Sequence, residues 1–212
     1  MPFSHDVLDI GHQSIVTSAE PDALCAIHRP ECAVAIWRRG PMPQGFQSWI
    51  DSIASDKLPS TRTIVRSDLV CDELLNACMA SGVPTCSERD FWINDASALA
   101  TIFAQIMQTR YLRLRLDVVR DNACRKFHVD ALTARLLCTY RGTGTQYGIA
   151  GREAEPREVH TAQTGEPIVL RGKRWPTVPD SRLVHRSPPI ESSGETRLVL
   201  VIDPAANSRD EL

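Results

Sequence analysis

The chain has 212 residues, 42% of them apolar, which is enough to build a substantial core. Its formal net charge is -2 and it carries no basic stripe interleaved with aromatics, so a protein built to coat nucleic acid is excluded. No stretch reaches the ~20 consecutive apolar residues of a membrane span.

The seven cysteines include no CxxC pair, which excludes a zinc ribbon or a thioredoxin-like motif. Their odd number, and an N-terminus without the basic-then-apolar leader pattern, predict free thiols and a reducing, cytoplasmic setting. The last four residues, 209–212, resemble a retrieval tail of the endoplasmic reticulum; without a leader they are read as carrying no address.

Residues 1–20 show little periodicity and are expected to be irregular. The apolar run 33–37 reads as a buried strand, stopped by Pro41 and Pro43. Phe46, Trp49, Ile50 and Ile53 follow at helical spacing, and residues 63–65 are a second candidate strand. From Asp68 a helix is predicted with Leu69, Leu74, Leu75 and Cys78 or Met79 inward, ended by Gly82. The clearest helix is expected over 95–108, with a stripe of Ala96, Leu99, Phe103, Ile106 and Met107 and Asn94 or Asp95 as its cap.

At Arg110 the period falls to two. Tyr111, Arg113, Arg115 and Asp117 alternate with Leu112, Leu114, Leu116 and Val118, the pattern of a strand with one face on a core. Short strands are predicted at 135–141, 168–171, 182–186 and 196–202, with Gly, Pro and Thr clusters between them. Such a train suggests a sandwich or closed barrel. The expectation is an α+β fold: a mainly helical region over 1–109 packed on a β-barrel core over 110–203, with 204–212 a flexible tail.

The chemistry concentrates in Cys124, Arg125, Lys126, Phe127, His128, Val129 and Asp130. Residues two apart in extended chain project to one face, so His128 and Asp130 can address one point. His185, at the end of an apolar strand before Pro188 and Pro189, is the third candidate ligand. Two histidines and a carboxylate on one face form the facial triad of non-haem Fe(II) oxygenases, with other coordination positions left open. Cys124 has the same parity and would add a soft ligand suited to zinc. Arg135, Arg141, Lys173 and Arg174 are candidates to line an anionic pocket.

Gly142 and Gly144 make no nucleotide loop, since Tyr147 breaks GxGxxG; they read as hairpin residues of positive φ. No GxSxG or HExxH occurs, which argues against a nucleophile-elbow hydrolase and a zincin.

The order of these elements resembles the double-stranded β-helix (jelly-roll or cupin-like) of the Fe(II)/2-oxoglutarate oxygenases. In those enzymes a basic residue about ten positions after the distal histidine binds the far carboxylate of the co-substrate. Arg197 stands twelve after His185 and matches that role, with Arg135 a second cofactor-binding candidate.

The strings around Cys124 to Asp130, Arg135 to Thr145 and His185 to Pro189, together with the Ala35 to Arg38 region, resemble the uncharacterised bacterial DUF1826 family. That resemblance implies no settled activity and points toward zinc homeostasis.

Three functions follow as expectations. The first is an Fe(II)/2-oxoglutarate-dependent dioxygenase acting on a small molecule. The second is a non-catalytic zinc-binding protein of metal storage, delivery or sensing, using His128, Asp130 and His185, with or without Cys124. The third is a β-barrel that binds a small anion without metal.

Overall fold

The computed structural model describes residues 6–9, 14–151, 155–176 and 182–207. In chain order the strands and helices are β1 (Asp6–Asp9), β2 (Ser14–Ser18), a 3₁₀ segment (Pro21–His28), β3 (Cys32–Trp37), α1 (Phe46–Ser52), β4 (Thr61–Arg66), α2 (Val70–Ser81) and α3 (Ser87–Ile106). They continue as β5 (Tyr111–Val119), β6 (Ala134–Arg141), β7 (Gln146–Ile149), β8 (His160–Thr161), β9 (Ile168–Arg171), β10 (Leu183–Arg186) and β11 (Arg197–Ala205). The result is a mixed helix-plus-sheet fold. No helix among the described residues is long and apolar enough to cross a membrane.

The strands form two sheets. The larger has eight strands in the order β1-β2-β3-β9-β6-β11-β5-β4, and the smaller has three in the order β10-β7-β8. The pairing of β2 with β3 is parallel, and the other described pairings are antiparallel.

Side-chain alternation explains the layers. On β5, Leu112, Leu114 and Leu116 are buried on the face that meets α3, where Trp92, Ala96, Leu99 and Phe103 repeat at helical spacing. β11 lies between β5 and β6 and has cover on both faces, so it reads as a near-continuous apolar run. Its other face, with Val199 and Val201, joins Leu137, Ile168 and Leu170 in a second core that receives Tyr147 and Leu183 of the small sheet. The polar face of β5, carrying Arg113, Arg115 and Asp117, belongs to this inner side.

Several sequence expectations need correction. Residues 14–18 are a strand, not irregular chain; pairing with β3 supplies the order that local periodicity does not show. The long helix begins at Ser87, eight residues before the expected Asp95, because Cys86 caps it: its sulfur accepts the backbone N–H of Arg89 at 3.4 Å. Asp95 therefore lies inside α3 rather than at its end. It receives the Arg39 guanidinium, one bond being 2.9 Å, and the Tyr140 hydroxyl at 2.6 Å, which ties the helix to β6.

Gly82 does end α2, with φ +74. β7 and β8, four and two residues long, carry no pattern that sequence reading picked out. At the other end of the chain β11 continues through Ala205, and residues 208–212 lie outside the described residues.

Candidate metal centre

The centre begins with two backbone hydrogen bonds. The His128 N–H donates to the His185 carbonyl at 3.0 Å, and the His185 N–H donates back to His128 at 2.9 Å. Residues that exchange both bonds of an antiparallel bridge present their side chains to one face. The two imidazoles, 57 positions apart in sequence, therefore lie side by side with ring centroids 4.5 Å apart. Asp130, two residues on from His128, brings its carboxylate to the same point.

Among the described residues, ligand atoms of His128, Asp130 and His185 all lie within 4.8 Å of one another. The Asp130 carboxylate oxygens are 3.6 Å from His128 Nε2 and 3.2 Å from His185 Nε2. His128 Nδ1 lies 2.9 Å from the Lys126 carbonyl. A carbonyl only accepts, so Nδ1 carries a proton, and Nε2 is the atom left for an ion once its own proton is lost. A hydrogen bond of this kind from the far ring nitrogen fixes the orientation of a metal-binding histidine. The donor set thus fits a divalent cation.

Electrostatics favour the charged carboxylate. Burial pushes the Asp130 carboxyl up, but hydrogen bonds with His128 and His185 and the charge of Arg135 outweigh it and hold it well below the usual carboxylate range. The hydrogen bond with Asp130 raises His128, whereas burial lowers the more enclosed His185.

Arg135 is not a free cofactor-binding cation, as expected from sequence. Its guanidinium donates at 2.7 and 2.8 Å to both oxygens of buried Asp203 and at 2.6 Å to Asp130 Oδ2. It orients a ligand carboxylate. Asp203, which closes the apolar run 198–202 within β11, went unnoticed in the sequence; a lone charge closing such a run was the available signal. Arg141 turns outward from the centre and donates at 2.7 Å to the Ile53 carbonyl beyond α1.

Arg197 behaves differently. Its side chain is 1% exposed. Nε donates to the Thr143 carbonyl at 2.6 Å and Nη1 to Ser187 Oγ at 3.2 Å, while Nη2 is buried without a hydrogen-bond partner. Burial, with only Glu195 nearby to oppose it, lowers the guanidinium to about 10. Arg197, His128 and His185 line one cavity of about 120 Å³, with Ser187 and Thr145 between them. Cys124 borders the same cavity, but it is exposed and its sulfur stands outside the group of three gathered ligands.

The family model described as a protein of unknown function, DUF1826, matches residues 18–203. No curated protein matches the sequence. Solved structures similar to this chain include the dioxygenase for auxin oxidation of rice, at 11% identity and TM-score 0.47, covering 84% of this chain and 75% of that one. A putative oxygenase from Shewanella oneidensis shows 11% identity and TM-score 0.47 over 90% and 89% of the two chains. The 2-oxoglutarate complex of dioxygenase for auxin oxidation 1 from Arabidopsis thaliana shows 8% identity and TM-score 0.45, with 72% of this chain matching 64% of that one.

Proposed function

This chain belongs to the DUF1826 family, and we propose that it is a mononuclear Fe(II) oxygenase that uses 2-oxoglutarate, its two sheets forming a double-stranded β-helix around the site. The observation that carries this reading is the buried guanidinium edge of Arg197 in the cavity lined by His128 and His185, the two histidines of the cluster with Asp130. A buried cation with an unanswered donor is costly. A carboxylate that enters the cavity satisfies it with a charge-assisted bond.

Each residue then has a role. His128, Asp130 and His185 hold the ion on one side and leave coordination positions for small molecules. Arg135 keeps Asp130 charged and aimed at the centre. Arg197, with Ser187 Oγ beside it, grips the far carboxylate of 2-oxoglutarate, so that the keto-acid end points back toward the histidines. Bound together, Fe(II) and 2-oxoglutarate supply the means to turn O₂ on a C–H bond while the keto acid is consumed.

Cys124 stands outside the cluster, which leaves two histidines and one carboxylate with open positions, the set that non-haem Fe(II) oxygenases use.

The test is spectroscopic. Anaerobic protein given Fe(II) and then 2-oxoglutarate is expected to develop the weak visible charge-transfer band of a chelated keto acid. Arg197→Met is expected to raise the 2-oxoglutarate concentration needed for half the band by at least about tenfold, the loss of one charge-assisted contact. Absence of the band in the unmodified protein would remove the oxygenase reading.

A further inference from the structure

A second cavity, of about 520 Å³, adjoins the centre at Asp130 and is not lined by Arg197. Its wall holds five arginines against two aspartates, Asp130 and Asp203. Both aspartates are already answered by Arg135. Arginines still outnumber the two aspartates, and Arg62, Arg115 and Arg174 lie beyond these Arg135 bonds, in a chain whose formal net charge is -2.

The backbone register makes this crowding deliberate. Arg62 of β4 stands directly opposite Arg115 of β5, and Arg113 follows two positions along the same face of β5. Like charges opposed across an antiparallel pair destabilise a sheet. Their counter-charges, Asp117 for both and Asp203 for Arg115, stay beyond hydrogen-bond distance. The Arg115 Nη atoms stay 3.7 Å from Asp203 and 3.8 Å from Asp117, and its Nε is buried without a hydrogen-bond partner. Arg62 comes no nearer than 3.9 Å to Asp117. An opposed guanidinium pair, with the Arg115 Nε donor unspent, matches the fork geometry of a carboxylate or a phosphate.

We propose that this cavity is the primary-substrate site and that the substrate is a small organic anion, whose oxyanion is held by Arg115 and Arg62 with a neighbouring carbon beside the metal centre. The proposal rests on the oxygenase reading for the word substrate, but the anion site stands on its own geometry. Arg115 lines both cavities and is where they meet, whereas Arg197 lines the first and not the second, and Arg62 the second and not the first. Division of labour follows: Arg197 serves the co-substrate, and Arg62 with Arg115 serves the substrate.

Calorimetry with non-chelating probes tests this. Phenyl phosphate, phenylacetate and benzyl alcohol are titrated into the full chain, first alone and then, without oxygen, with Fe(II) and saturating 2-oxoglutarate. At least one of the two anions is expected to bind in both settings, and benzyl alcohol is not. The tighter of the two anions tells whether the natural group is a phosphate or a carboxylate. With Fe(II) and 2-oxoglutarate to saturation, which occupy the Arg197 cavity, Arg115→Met and Arg62→Met are each expected to weaken binding at least tenfold, and Arg197→Met to leave it unchanged. Arg62 has a side chain 56% exposed, so its variant separates loss of binding from loss of fold.

Binding of neither anion, or binding that disappears in Arg197→Met and survives in Arg115→Met and Arg62→Met, would overturn the proposal while leaving the oxygenase reading intact. Anion binding that depends on Arg115 without any Fe(II) and 2-oxoglutarate band would remove the oxygenase reading and keep the anion site.

Discussion

Arg135 carries more of the centre than its position suggests. It joins Asp203, which is 1% exposed, to a ligand carboxylate, so its removal leaves one buried charge unpaired and another unsteered. Arg135→Met is expected to lower stability by about 3–5 kcal/mol, the usual cost of breaking a buried pair, measured by urea unfolding. The same variant should weaken metal binding by about 10- to 100-fold, as loss of an outer-sphere partner does. The cysteines give a second check. Burial pushes the thiol of Cys138 up to about 12 and those of Cys32 and Cys78 to about 11. The thiolate is the reacting form and lies below these values in only a small fraction, about one in a thousand at pH 8 for a value near 11. Iodoacetamide at pH 8 should thus modify exposed Cys25 and Cys124 and spare those three, with labelling of the three rising as pH rises; peptide mass spectrometry reads the result. At this scale the pairing of His128 with Asp130 was legible because HxD spacing forces a shared face in extended chain. The role of Arg135 was not, since its partner Asp203 lies 68 residues away in sequence.

Among the elements, the bridge between His128 and His185 shows what a sequence does and does not reveal. Each flanking segment announces itself by composition; the register that faces one histidine with the other is fixed by backbone bonds to be found only in the folded chain. The glycines teach a similar lesson. Both Gly142 and Gly144 read as turn residues of positive φ, but this holds for Gly142 alone, at φ +78. At Gly144 the need is space: a Cβ there would lie 1.8 Å from the Ala162 carbonyl oxygen. That close approach brings the start of the small sheet against the 160s segment. Gly144→Ala is expected to cost about 3 kcal/mol by forcing the two backbones apart, seen as a lower urea midpoint with an unchanged slope. An unaltered midpoint would mean that the segments separate freely. The start of α3 escaped sequence reading for a plain reason: cysteine is a weak cap, and Asn94 and Asp95 offered better caps inside the true helix.

For the whole molecule, the change of period at Arg110 located the sheet-rich half, but it hid the share of the first half. β1 to β4 all join the large sheet, at both of its edges, and β4 brings Arg62 to the inner face. Strands such as β3 and β4 gain their order from partners distant in sequence, so local pattern alone understates them. The polar face of β5, which sequence reading leaves undefined, is turned instead into the space between the sheets. The same layering sets the apolar core on the helix side and the charged residues around the metal cluster. The most direct measurement of the central claim is anaerobic calorimetric titration of the metal-free full chain with Fe(II), beside His185→Ala. One ion per chain is expected, with affinity reduced by at least about 100-fold in the variant, as loss of one of three ligands entails. Uptake of no ion, or equal affinity in the two proteins, would contradict a centre built from His128, Asp130 and His185.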